Sequence, residues 1–252
     1  MIRFENVSKD LGGRKVLDGV SFEVERGGTF VIVGPSGAGK SVTLKHMLCL
    51  YRPDEGRVLV DGEVVSEVPN SGLEQVRKRF GVLFQNAALL EWLDVGENVA
   101  LPLREKTTMS EEEIQAAVHE KLKLVGLEDA ISKHPSELSG GMRKRAGLAR
   151  ALIEKPEIIL YDEPTSGLDP VSSRSIDHLI NSMRQDLKVT SVVVTHDLHS
   201  ALLIGTKIAM IYEGRILEVS APEQFIKSKQ EFVRGFLESQ FITKKGPWED
   251  KQ

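Results

Sequence analysis

The chain has little of what marks secreted, membrane-spanning or nucleic-acid-binding proteins. Its 252 residues include one cysteine, Cys49, so no disulfide can form within the chain and a reducing compartment is expected. The 33 Lys and Arg residues do not outnumber the 37 Asp and Glu residues, and the formal net charge of -4 argues against nucleic acid as a partner. No apolar run approaches the roughly 18 residues of a membrane span. Any membrane role is therefore expected to come through partners.

A phosphate-binding pattern lies near the start of the chain. It follows the apolar run at 29–33, and residues 34–41 fit the pattern G-x-x-x-x-G-K-[ST]. Together with Val42 they read Gly34-Pro35-Ser36-Gly37-Ala38-Gly39-Lys40-Ser41-Val42. Its glycines let backbone N–H groups point at a phosphate, its lysine reaches the β/γ oxygens, and its last hydroxyl ligates Mg²⁺. The sequence therefore predicts a nucleoside triphosphate site, called the cradle below.

Strands alternate with helical patterns along most of the chain. Apolar strands at 29–33, 158–161 and 191–195 are separated by helices, which predicts an α/β fold with a parallel sheet. Short alternating strands broken by Gly12 and Gly13 predict a small β-region before the cradle. Strands at 207–212 and 215–219 are expected to form a closing hairpin.

A mostly helical insert is predicted near residues 86–155. Ser110 and Glu113 form a capping box that opens one helix, and Gly126 ends it. A second helix is predicted from about Met142 to Glu154, and a last one from Glu231 to Phe241. The predicted domain covers 1–241, followed by a polar tail at 242–252.

Two carboxylates end the strand at 158–161. Asp162 and Glu163 lie where parallel sheets place their ligands, and neighbouring strand residues face opposite ways. Asp162 therefore suits Mg²⁺ ligation, and Glu163 suits activation of the water that attacks the γ-phosphate.

A second anion-binding device precedes this strand. Ser139, Gly140, Gly141 and Met142 offer a hydroxyl and backbone N–H groups at a helix start. This set resembles the signature motif of ATP-binding-cassette ATPases. The resemblance covers nearly the whole chain and implies a P-loop NTPase with a RecA-like parallel sheet core, an N-terminal antiparallel β-subdomain and a helical subdomain. It also implies a head-to-tail homodimer in which the signature of one subunit closes over ATP held by the other.

Further residues match the family pattern. Gln85 corresponds to the glutamine that bridges Mg²⁺, water and the insert. Asp169 corresponds to the aspartate in the loop that follows Asp162 and Glu163. His196 matches the histidine that touches the γ-phosphate. The aromatic side chain that usually stacks on adenine is missing, so Leu11 and Val16 are expected to supply an apolar contact instead.

The closer resemblance is to the ATPase of Mla-type phospholipid transporters. The residues that carry it are at 76–79, 97–105 and 136–146, above all a methionine in the signature followed by the basic triplet 143–145. Taken alone, that triplet is expected to lie on a solvated helix face. The resemblance implies integral-membrane permease partners, an MCE-type protein, and a location at the cytoplasmic face of the inner membrane.

Other functions stay open at this stage. A soluble or regulatory cassette ATPase, serving iron–sulfur assembly or cell division, has the same motifs, and so does a solute importer. The segment 86–95 is rich in large apolar side chains and in the family receives a helix of the membrane partner. The transported molecule, its direction and the dimerisation of the isolated subunit are not predicted.

Overall fold

The computed structural model describes residues 1–240 and 242. The chain divides into two compact units, one holding Met1–Val68 and the chain from Val194 onward, the other holding Pro69–Val193. Within the described residues, no helix is both long and apolar enough to span a bilayer.

An antiparallel sheet forms the start of the first unit. It has the order β2-β1-β4-β5 and consists of β1 (Ile2–Leu11), β2 (Arg14–Val24), β4 (Glu55–Val60) and β5 (Glu63–Val64). Gly12 and Gly13 both have positive φ, 59° and 80°, as a two-residue hairpin turn requires. Phe4 pairs with Phe22, and their stacked rings lie 4.5 Å apart. The predicted β-region is therefore confirmed.

A second group of strands in this unit positions the cradle. The fully buried β3 (Thr29–Val33) pairs in parallel with β9 (Lys207–Tyr212), which forms the predicted hairpin with β10 (Arg215–Ser220). The helices of this unit are α1 (Lys40–Met47), α7 (Leu198–Ile204), α8 (Pro222–Phe225) and α9 (Glu231–Ser239). Cys49 is buried just after α1.

The second unit combines a parallel strand pair with helices. Strand β6 (Phe80–Leu83) runs parallel to β7 (Ile158–Asp162), while β8 (Thr190–Thr195) crosses the boundary between the units along the chain. The helices are α2 (Leu73–Arg77), α3 (Val95–Lys106), α4 (Glu111–Val125), α5 (Gly140–Leu152) and α6 (Pro170–Leu187). Parallel pairs, helices and an antiparallel sheet confirm the predicted α/β class.

Capping explains where the helices begin. Ser110 and Glu113 form the predicted capping box of α4, and Gly126 ends that helix at φ 67°. Helix α5 begins two residues before the predicted Met142 because the Ser139 side chain caps it. Helix α3 was not predicted, although Asp94 and Glu97 form a second capping box at its start.

The predicted domain limits stay predictions. Helices α3, α4 and α5 fall within 86–155, but no boundary of a helical subdomain follows from that alone. Of the predicted last helix, residues 231–239 are helical, while Phe241 and residues 243–252 lie outside the described part of the chain.

Candidate active site

The cradle joins the buried end of β3 to the first turn of α1. Gly39 is the N-cap of α1 and offers no side chain to cap it, so backbone N–H groups head the helix. The Lys40 side chain is buried, and its Nζ donates to Gly34 O at 2.7 Å and to Pro35 O at 3.1 Å. A cation is thus held over a loop of backbone groups, as a polyphosphate site needs.

Close backbone approaches require glycine at two cradle positions. A Cβ on Gly39, whose φ is +108°, would lie 2.9 Å from Val16 O, and a Cβ on Gly34 would lie 2.2 Å from Ile211 O. The half-buried Val16, predicted to contact the base, therefore lies against the cradle. Leu11, the other predicted base contact, is half-buried at the end of β1.

The loop after β8 carries the predicted switch histidine. His196 is exposed, and its carbonyl accepts a hydrogen bond from Gln240 Nε2 at 2.7 Å. The Gln240 Oε1 atom also accepts from Leu198 N at 2.9 Å, and the His199 ring nitrogen lies 3.2 Å from Gln240 O. The residue after α9 thus holds the backbone around His196. No signal in the sequence points to Gln240 for this role.

The acid pair lies at the end of β7 in the second unit. Asp162 is the last residue of the strand, and Glu163 has φ +47°, a left-handed conformation that is costly for a non-glycine residue. The Glu163 carbonyl accepts from Ser166 N at 3.2 Å and from Lys144 Nζ at 3.0 Å. These two hydrogen bonds therefore fix the backbone from which the Glu163 carboxylate projects.

Helix α5 also holds the loop that begins at Gln85. Lys144 Nζ donates to the Gln85 carbonyl, and Arg150 donates to Ala87 O and Ala88 O, each at 2.8 Å. Both alanines have positive φ, 57° and 51°. The basic donors on α5 thus satisfy three carbonyls of a loop whose backbone is strained at two residues.

Lys144 was missed by sequence reasoning. The expectation that the basic triplet lies on a solvated face is wrong for Lys144, which is 4% exposed, and correct for the exposed Arg143. Burial lowers the pKa of the Lys144 ammonium to about 8, against the opposing effect of Glu163 and Asp162. No local pattern in the sequence places it near the acid pair, because the carbonyls that it binds lie 59 and 19 residues away along the chain.

Two site residues cap helices. Ser139 Oγ accepts from Met142 N at 3.2 Å, and Asp169 Oδ1 accepts from Val171 N and Ser172 N at 2.9 and 3.0 Å. Hydrogen bonds from Ser172 lower the pKa of the Asp169 carboxyl, which keeps the cap charged. Their predicted contacts with nucleotide stay predictions.

A cavity of about 380 Å³ in the second unit brings several of these segments together. Its lining includes Gln85 from the loop, Gly140 and Lys144 from α5, and the stretch 166–168 that leads to Asp169. The loop after β6, the signature helix and the stretch before α6 therefore meet at one surface.

The predicted site residues are divided between the units. Residues 34–42, Leu11, Val16 and His196 belong to the first unit, and the other predicted site residues belong to the second. Among residues 1–240 and 242, no group of three or more His, Cys, Asp or Glu is placed to hold a metal ion. The predicted donors Ser41, Gln85 and Asp162 supply the hard oxygen atoms that suit Mg²⁺ shared with phosphate.

Comparison with known proteins bears on the family of this chain. A family model described as ABC transporter matches residues 17–166. The probable ribonucleotide transport ATP-binding protein mkl of Mycobacterium leprae is 40% identical over 250 residues, which cover 99% of this chain and 72% of that protein. The intermembrane phospholipid transport system ATP-binding protein MlaF of Haemophilus influenzae is 38% identical over 240 residues, covering 95% and 91%. The methionine import ATP-binding protein MetN of Rhizobium johnstonii is 37% identical over 237 residues, covering 94% and 65%.

A solved structure shares the fold. The ATP-binding cassette MJ0796, in a dimeric post-hydrolysis state bound to ADP and Pi, matches with a TM-score of 0.81 and 34% identity, over 88% of this chain and 99% of that chain. These matches confirm the predicted P-loop NTPase fold and the family. The chain therefore belongs to the ABC transporter family, as an ATP-hydrolysing subunit.

Proposed function

We propose that this chain hydrolyses ATP to drive phospholipid movement through a membrane permease, at the cytoplasmic face of the inner membrane. The observation that carries the lipid assignment is the 38% identity to MlaF, which extends over nearly the full length of both chains. Met142 and the basic residues after it, on which the resemblance to Mla-type ATPases rests, support the same substrate class.

In the proposed reaction, Lys40 holds the β- and γ-phosphates on the cradle. Glu163 takes a proton from the attacking water, whose oxygen bonds to the γ-phosphorus as the bond to ADP breaks. The Gln85 amide orients that water, and His196 donates a hydrogen bond to the γ-phosphate. Water activation by a positioned carboxylate fits the strained, doubly hydrogen-bonded backbone at Glu163.

Mg²⁺, when bound with ATP, would neutralise charge on the β- and γ-phosphates. Ser41, Asp162 and Gln85 are the residues proposed to hold it. Leu11 and Val16 are proposed to contact the base through apolar surface alone.

We further propose that the chain works as a homodimer. The capped start of α5, from Ser139 to Met142, would bind the γ-phosphate of ATP held by a second copy, with Asp169 nearby at the start of α6. The dimeric state of MJ0796 bound to ADP and Pi supports this arrangement.

The second unit offers a surface for the permease. Trp92, in the segment predicted to receive a partner helix, is 73% exposed, and Phe84 is 44% exposed. Large apolar side chains that face solvent on a segment predicted to receive a partner support a binding surface there. We propose that a permease helix covers Trp92, and that an MCE-type protein completes the complex.

A solute importer is the second candidate function. The 37% identity to a methionine import protein favours it. The name of mkl gives a further substrate class, ribonucleotides. The composition of the native complex separates these candidates.

Catalysis is tested by Glu163→Gln, with Glu128→Gln as an exposed glutamate control in the same unit. Glu163→Gln is expected to keep ATP binding and to slow hydrolysis by ~10²–10⁴-fold, because the amide keeps the shape and loses the basicity. ATP binding is measured by calorimetry and turnover by phosphate release. Substantial turnover with an unchanged monomer–dimer balance would assign the base to another group, His196 first.

The transported class is tested by purifying the tagged chain from native membranes in detergent. We expect a multi-span permease and an MCE-type protein to co-purify. Trp92→Glu is expected to reduce their recovery, and Val219→Glu, which changes an exposed apolar residue of the first unit, is the control. A permease accompanied by a solute-binding protein supports the importer, and a soluble scaffold without a permease contradicts transport.

A further inference from the structure

We infer that Lys144 is a positioning residue for ATP hydrolysis, which fixes the backbone of both Gln85 and Glu163 through one buried ammonium group. The inference deepens the proposed function and rests on the roles proposed there for these two residues. Lys144 does not touch the nucleotide in this proposal. It acts through the carbonyls that it binds.

The Lys144 ammonium binds two backbone carbonyl groups that lie far apart along the chain. Its Nζ donates to the carbonyl of Gln85, just after β6, and to the carbonyl of Glu163, just after β7. Strands β6 and β7 are parallel neighbours, so the two carbonyls belong to adjacent strand ends. One cation thus joins the two loops that carry the proposed water-orienting amide and the proposed base.

Lys121 is another buried lysine of the second unit, with a different kind of partner. It is 6% exposed, against 4% for Lys144, and pairs with the Glu120 carboxylate at 2.6 Å. The described contacts of Lys144 Nζ are carbonyl oxygens, and they include no carboxylate within ion-pair distance. A buried ammonium without a bound carboxylate carries a desolvation cost, so its position is better explained by what it holds in place.

The Glu163 backbone needs such support. Its φ of +47° lies in a region that a β-carbon disfavours, and rotation of its carbonyl would redirect its side chain. Lys144 and Ser166 N hold that carbonyl from two sides. Lys144 also lies on the helix that Ser139 caps, so the signature helix and Glu163 are joined by one side chain.

The test compares Lys144→Met with Lys121→Met, since both replace an almost fully buried lysine by an apolar side chain of similar length. Lys144→Met is expected to lower kcat on the order of 10²-fold, the typical effect of a misplaced catalytic group, with KM and calorimetric ATP affinity nearly unchanged. Lys121→Met is expected to change thermal stability and leave kcat unchanged. Lys144→Gln, which keeps N–H donors, is expected to restore part of kcat.

A triple variant shows whether Lys144 acts through Gln85 and Glu163. Lys144→Met combined with Gln85→Ala and Glu163→Gln is expected to be no slower than the Gln85→Ala, Glu163→Gln pair, because groups that act as a unit are not additive. A further drop in the triple variant would overturn the inference, and so would wild-type kcat in Lys144→Met. If Lys144→Met does not fold, wild-type kcat in Lys144→Ala, which leaves both carbonyls without a side-chain donor at this position, overturns it instead. Fast hydrolysis by Glu163→Gln alone would show that the proposed role of Glu163 is wrong, and the inference would fall with it.

Discussion

Replacing Gly147 with alanine is expected to destabilise this protein, although alanine is the better helix former. Gly147 is buried within α5, where it faces the loop after β6. A Cβ at this position would lie 3.0 Å from Ala87 Cβ and 3.0 Å from Leu83 Cδ1. Both distances are shorter than ordinary contacts between carbon atoms, which are about 3.5–4.0 Å.

The neighbours differ in how far they can move. Leu83 Cδ1 ends a flexible side chain, but Ala87 Cβ is fixed to a backbone at φ 57° whose carbonyl is bound by Arg150 at 2.8 Å. Helix α5 would therefore have to shift. Overpacking costs about 1–3 kcal/mol, whereas exchange of glycine for alanine in a helix gains about 0.8–1.0 kcal/mol. The net loss of unfolding free energy is about 0–2 kcal/mol.

Gly235→Ala is the matched control. Gly235 lies within α9, and a Cβ there meets no atom within 4 Å, so the same substitution is expected to gain about 0.8–1.0 kcal/mol. Urea unfolding of both variants checks that the two changes in unfolding free energy have opposite signs. In thermal unfolding the same changes should shift the melting temperature by about 2–4 °C for each kcal/mol. Equal stabilisation by the two variants would refute the tight contact of α5 with Ala87. Gly147→Ala should also lower ATP turnover more than ATP binding, because a shift of α5 would move Lys144, which binds the Gln85 carbonyl.

Three further outcomes are expected. Lys40→Ala should abolish ATP binding, because it removes the buried cation over the cradle, and near-wild-type affinity by calorimetry would contradict the assignment. Ser139→Arg should leave ATP binding to the isolated subunit intact and block turnover, and loss of that binding would show that the motif acts on ATP in its own chain. The hydrogen bond from Arg104 lowers the pKa of Glu111 from 4.5 to about 2, so this pair stabilises the protein above pH 4.5 and loses its effect as pH falls toward 2. The difference in urea midpoint between the wild type and Glu111→Gln should therefore narrow on acidification, and a pH-independent difference would contradict it.

Local sequence rules account for the parts that were predicted. The cradle depends on glycines and a lysine within eight residues, and the start of α4 depends on Ser110 and Glu113, so each can be read from a short window. The hairpin turn at 12–13 is equally local. Such elements need no knowledge of the remaining chain.

The missed features depend on distant contacts or conflicting signals. Pro102 lies within α3 and weakens a helix prediction, although the capping box at its start was available. Burial of Lys144 depends on carbonyls 59 and 19 residues away along the chain. The positive φ of Glu163 likewise reflects contacts made after folding, and the basic residues around Lys144 suggested a solvated surface.

The hold of Gln240 on the loop after β8 has a consequence for protein synthesis. Gln240 follows His196 by 44 residues, so a nascent chain that has just completed β8 lacks the group that binds the His196 carbonyl. The hydrogen bonds from Gln240 form only after α9 has been translated and has docked through Val233 and Leu237, which are fully buried. Any expressed version that stops before residue 240 would therefore lack these bonds to the histidine loop, even when the cradle and its strand are complete.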